Sequence, residues 1–132
     1  MKRFLTTVTL GVGLAILLLA QVDPQYQTWM KTAGSNTGAL KKAIDAKSTA
    51  DAQAAAKTLE GVFGEVAEYW EKRGDASDAV GFAKEAQSAA KDIAAAESLD
   101  AASASFGKLG AACKNCHAAH REKADDGTWK IK

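Results

Sequence analysis

Alanine constrains the fold of this chain more than any other residue type. It fills 29 of the 132 positions, and proline occurs once, at Pro24. Alanine is the best helix former and proline is the worst. After the first twenty residues there are no runs of Val, Ile and Thr, the residues that favour strands. The sequence therefore predicts an all-α protein.

Length and charge narrow the class of protein further. A chain of 132 residues has room for one ordinary domain, and 47% hydrophobic with 25% charged residues is typical of a globular protein. The 17 Lys and Arg residues nearly balance the 16 Asp and Glu residues, and there is no basic run. We therefore predict no nucleic-acid partner.

The first twenty residues have the pattern of a secretory signal. Met1, Lys2 and Arg3 form a basic start, and residues 4–20 are apolar apart from three threonines. The sequence predicts a signal peptide over 1–20, a mature domain over 21–132 and a periplasmic location. The alternative is an uncleaved anchor, because seventeen residues are at the short limit for a membrane span. The chain would then meet the membrane through this segment alone.

The remaining chain contains four segments in which apolar residues recur every three or four positions, as on one face of a helix. The predicted helix starts are Asp23 with Pro24, Ser48 or Thr49, Ser77 or Asp78, and Asp100. Lys72, Arg73 and Gly74 are typical of a helix end and close the second helix. Residues 125–129 are expected to be irregular.

Four amphipathic helices joined by short links predict an antiparallel four-helix bundle. Many of the residues on the apolar faces are alanines. Such a core either packs tightly or leaves room for a large planar cofactor, and the apolar pattern alone favours the tight core.

The cysteine cluster is the most specific motif in the chain. Cys113-Lys114-Asn115-Cys116-His117 is a C-x-x-C-H sequence, the attachment signature of c-type haem. Residues three apart share a helix face, so each thiol can add to one vinyl group of the same haem. His117 follows directly and can supply an axial ligand to the iron. The motif predicts one covalent haem c near the C-terminal helix, with Cys113 and Cys116 as attachment points.

Three other uses of this cluster remain open. A thioredoxin-like redox pair needs a βαβ setting, which the sequence does not suggest. A zinc site built from Cys113, Cys116, His117 and His120 would have to converge from a single helix. A disulfide between the two cysteines would be strained on a helix.

The chain resembles the cytochrome c′ family, the class II c-type cytochromes. The segment from Phe106 to Gly110 leads into the haem motif, and Arg121 follows His117 by four positions, as a basic residue does in that family. The segment from Trp29 to Gly34 is similar to the family's first helix. The resemblance implies a four-helix bundle that holds haem inside one end and is often dimeric.

The resemblance also implies which residues face the haem. Met30 lies where one branch of the family has a distal methionine, low-spin iron and an electron-carrier role. The other branch has five-coordinate iron that binds NO or CO. We expect Met30 as the second axial ligand, Tyr26 on the distal side and Arg121 beside His117. The predicted function is one-electron transfer to a redox partner that the sequence does not name. We expect no enzyme activity, because no acid–base pair or nucleophile is apparent, and NO or CO binding is the alternative function.

Overall fold

The computed structural model describes residues 23–132. The predicted signal peptide, 1–20, lies outside this part of the chain. The helices are α1 (Pro24–Asp45), α2 (Thr49–Arg73), α3 (Ser77–Ala94) and α4 (Leu99–His120), followed by the strands β1 (Arg121–Lys123) and β2 (Trp129–Ile131). None of the helices in 23–132 combines the length and the hydropathy needed to cross a bilayer.

Helix boundaries follow the capping residues. The Asp23 carboxylate accepts a hydrogen bond from the Gln25 backbone N–H at 2.8 Å, and Pro24 is the first helical residue. Ser48 caps α2 through its side chain. Gly74 ends α2 with φ at +74°, a left-handed conformation that favours glycine. These starts and this end agree with the sequence prediction.

The start of α4 differs from the prediction. Asp100 was expected to be the cap, but Ser98 takes this role and its hydroxyl accepts from the Ala101 backbone N–H at 3.2 Å. Both Ser and Asp are good N-caps, and the helix uses the earlier of the two. Asp100 then lies in the first turn of α4, where its negative charge interacts favourably with the positive end of the helix dipole and stabilises the helix.

The four helices form an antiparallel bundle in which each helix packs extensively on the next along the chain. Two hydrogen bonds show the antiparallel order. Trp70 Nε1 near the end of α2 donates to the Tyr26 hydroxyl at the start of α1, at 3.2 Å. His120 Nε2 at the end of α4 donates to Asp78 at the start of α3, at 2.8 Å. These four residues define one end of the bundle, the Trp70 end.

Alanine provides most of the core. Of the 22 buried apolar residues in the described chain, fourteen are alanines, so the helices approach closely where they pack. Contact between α1 and α4, by contrast, is sparse. The bundle is therefore open along the seam between its first and last helices.

The chain ends in a β-hairpin, which corrects two sequence expectations. The fold is helical except for β1 and β2, which pair antiparallel with Arg121 opposite Ile131. Residues 125–129, expected to be irregular, form the turn and the start of β2. Gly127 has φ at +83°, and the Asp126 carboxylate accepts from the Thr128 backbone N–H at 2.9 Å.

Candidate functional site

A cavity of about 670 Å³ lies at the Trp70 end, between α1 and α4. It occupies the seam where these two helices contact each other little. Its lining contains all six predicted site residues: Tyr26, Met30, Cys113, Cys116, His117 and Arg121. The wall from α2 and α3 is apolar and includes Phe63, Val66, Phe82, Ala83 and Ala86.

The last two turns of α4 bring both thiols and an imidazole to this cavity. Cys113 and Cys116 are free and half-buried. Burial raises the pKa of the Cys113 thiol. Burial, together with Cys113 and Asp78, raises the pKa of Cys116 to about 11. Both thiols are therefore protonated at neutral pH.

His117 is held in its neutral form. Burial lowers its pKa, and the nearby Arg121 cation lowers it further. A neutral imidazole has a free nitrogen lone pair, which is the form that ligates a metal. The position therefore suits an axial ligand.

The α1 side of the cavity is formed by residues one turn apart. Tyr26 is buried, and Met30 is half-buried and packs against the core while it lines the cavity. A methionine thioether thus lies in the α1 wall of the same cavity that holds the α4 imidazole.

Tyr26 is fixed within an aromatic cluster. Its hydroxyl accepts from Trp70, and its ring centroid lies 4.7 Å from Tyr69 and 6.0 Å from Trp70. Burial raises the pKa of Tyr26 to about 12, although the Trp70 hydrogen bond opposes this shift. Tyr26 is therefore a neutral, positioned wall residue.

Arg121 follows α4 directly, one helical turn after His117. It caps the helix with extended backbone and is the first residue of β1. Its backbone N–H donates to the His117 carbonyl, and its guanidinium lies 3.9 Å from the centre of the Trp129 ring. The cation still lies close enough to lower the His117 pKa.

His120 also belongs to the site rather than to the open surface. Its side chain is 17% exposed, lines the cavity and is hydrogen-bonded to Asp78. Its ring centroid lies 5.1 Å from that of Trp70. The hydrogen bond from His120 lowers the pKa of Asp78. His120 thus links α4 to α2 and α3 at the cavity edge.

The sequence prediction missed the part of the cavity wall that the hairpin supplies. Trp129, Lys130 and Ile131 of β2 line the cavity, and so does Lys31 of α1. The Asp126-Gly127 pair is a turn signal that points to such a hairpin. Lys31, Arg121 and Lys130 give the lining three cations, and no Asp or Glu from 23–132 lines it.

Other uses of the cysteine cluster find no support in the described chain. No three side chains of His, Cys, Asp or Glu between residues 23 and 132 form a group that could hold a metal ion. The strands of this region form only the C-terminal hairpin, so it contains no βαβ unit. The zinc and thioredoxin-like alternatives each lack the arrangement that they need.

No family model, curated protein or solved structure matches this chain. The resemblance to the cytochrome c′ family therefore rests on the motif and helix residues named above.

Proposed function

We propose that this chain is an exported, periplasmic monohaem c-type cytochrome that transfers single electrons. Cys113 and Cys116 would hold the haem covalently, and His117 and Met30 would ligate its iron. One observation carries the proposal: the cavity between α1 and α4 is lined by the complete C-x-x-C-H set on one side and by a thioether on the other.

The chemistry of the cavity fits haem independently of the motif. Haem combines a large apolar ring with two carboxylates. The cavity volume lies within the range of cofactor sites, which is roughly 300–1,000 Å³. Its wall is largely apolar, while Lys31, Arg121 and Lys130 supply positive charge for anionic groups.

Attachment would use the two protonated thiols: each S–H would add across one vinyl C=C bond, so that a C–S bond forms and the hydrogen goes to the neighbouring carbon. The bound haem would supply an iron that alternates between the ferric and ferrous states. His117 and Met30 would ligate this iron, and histidine–methionine ligation raises the reduction potential of haem iron.

Extraction tests the attachment. Acidified acetone should leave the haem on the purified polypeptide, while a Cys113→Ala, Cys116→Ala chain should carry no covalent haem. A double variant of the exposed motif residues, Lys114→Ala with Asn115→Ala, keeps both thiols and is the matched control. Colour that passes from the native protein into the solvent would refute the proposal.

The absorption spectrum separates electron transfer from gas binding. Iron with both axial positions filled should be low-spin, and the ferric protein should show a weak sulfur-to-iron band in the near red. High-spin iron that takes up CO readily would instead support the alternative, capture of NO or CO at an open axial position.

A further inference from the structure

The C-terminal hairpin presents one face towards the cavity. Directly opposed residues of paired strands have side chains on the same side of the sheet. Arg121 is opposite Ile131, and Lys123 is opposite Trp129, so these four residues share a face. Arg121, Trp129 and Ile131 line the cavity, whereas on the other face, formed by Glu122 and Lys130, only Lys130 does. We therefore call the first face the inner face.

The other face of the hairpin carries a separate ion pair. Lys130 Nζ lies 3.3 Å from Glu122 Oε1, and these two residues are opposite each other in the pairing. Lys130 also lines the cavity but is paired with Glu122, whereas Arg121 is the cavity-lining cation of the inner face.

The hairpin is anchored to the bundle rather than loosely attached. Ile131 packs against the hydrophobic core. The Lys132 backbone N–H donates to the His120 carbonyl at 3.0 Å, and Lys132 Nζ donates to the Ala118 carbonyl at 3.2 Å. These contacts hold the end of β2, the strand that carries Trp129, against α4 and the core.

Trp129 is unusual for its exposure. Its side chain is 49% exposed, and no other large hydrophobic residue in the described chain is classed as exposed. The ring lines the cavity on one side and stacks under the Arg121 guanidinium. A tryptophan in this position has apolar surface available to a ligand in the cavity.

We propose that the hairpin is part of the cofactor site, with the Trp129 ring packed against the edge of the haem and Arg121 held beside it. This inference rests on the proposed function. The family resemblance implies helices at the site, so the hairpin is a contact that this chain adds. Trp129 then limits the access of water to the haem, which favours the ferrous form because water stabilises the additional charge of the ferric form.

Site-resolved oxidative footprinting of the haem-containing protein tests the contact. Water radiolysis labels exposed tryptophans, and mass spectrometry reads each one. Trp29, which is half-buried and does not line the cavity, is the internal reference. Trp129 should be oxidised several-fold more slowly than Trp29, although its surface is the more exposed without the cofactor. Equal or faster oxidation of Trp129 would overturn the inference.

Two variants provide a second measurement. Trp129→Ala should change the circular dichroism of the Soret band, which reports aromatic rings packed near haem, and should lower the midpoint potential. Asp125→Ala is the control, because Asp125 is an exposed hairpin residue that does not line the cavity, and it should leave the Soret dichroism unchanged. An unchanged Soret band in Trp129→Ala would also overturn the inference.

Failure of this inference is distinguishable from failure of the proposed function. A native protein with no covalent haem would overturn both. A protein with covalent haem, but with a freely oxidised Trp129, would overturn only the role of the hairpin.

Discussion

Met30 is the residue whose substitution separates the two functions. Met30→Ala should remove the sixth ligand, make the iron high-spin and speed CO binding to the ferrous form by orders of magnitude, because no sulfur then has to be displaced. Stopped-flow absorbance measures the CO rate. Thr37→Ala is the matched control, since Thr37 lines the same cavity from the same helix. A native protein that is already high-spin would contradict ligation by Met30.

Arg121 should tune the iron without holding it. A cation near His117 disfavours the ferric form, which carries one more positive charge than the ferrous form. Arg121→Gln should therefore lower the midpoint potential, on the order of tens of millivolts after screening, and leave the spin state unchanged. Spectroelectrochemical titration measures this shift.

Lys123→Gln is the control for the Arg121 prediction, because it removes the same charge two residues along from a side chain outside the cavity lining. An equal shift in both variants would show that Arg121 acts only through the net charge of the protein.

At the scale of elements, the sequence predicted the helix boundaries that individual capping residues mark. Asp23 and Ser48 are residue types that cap helix starts, and Gly74 is one that ends helices. Because a single residue marks each of these boundaries, the sequence predicted them correctly. The hairpin was missed because its strands have three residues each, too few to show alternation. Only the Asp126-Gly127 turn marks it locally.

Two identical glycine substitutions should have opposite effects on stability. Gly127 has positive φ, so Gly127→Ala should strain the turn by about 1–2 kcal/mol and speed amide hydrogen exchange in 121–131. Gly110 is an exposed helical position with open space for a Cβ, so Gly110→Ala should stabilise α4 by roughly 0.5–1 kcal/mol. Equal exchange rates in the native and Gly127→Ala hairpins would contradict a structural role for this turn.

At the scale of the whole molecule, the cavity follows from long-range packing that the sequence does not encode locally. The motif singled out Cys113, Cys116 and His117, and the family resemblance singled out Met30 and Tyr26. Neither of these predicts that α1 and α4 separate at the Trp70 end. A tightly packed alanine core was therefore also a valid prediction from the sequence. The hairpin forms part of the site because the chain folds back against the end of α4. The spacing of apolar residues does not predict this reversal.

The haem should supply much of the stability of this fold. Within residues 23–132, five side chains larger than alanine are fully buried: Trp70, Leu40, Leu59, Ile93 and Leu109. The rest of the buried core in this range is mostly alanine. Small side chains bury little apolar area at ~25 cal/mol per Å². Because the cavity lies where α1 and α4 barely touch, a bound ring would join the two helices that the polypeptide leaves apart.

A haem-free chain, Cys113→Ala with Cys116→Ala, should therefore be loosely helical and easily degraded. Far-ultraviolet circular dichroism should show a broad, low thermal transition, and limited proteolysis should cut α1 first, because α1 packs extensively on α2 alone. The Lys114→Ala, Asn115→Ala control keeps the haem and should melt cooperatively. A cooperative, high melting transition in the haem-free chain would mean that the alanine core suffices, and that the cavity between α1 and α4 is a feature of the folded polypeptide itself.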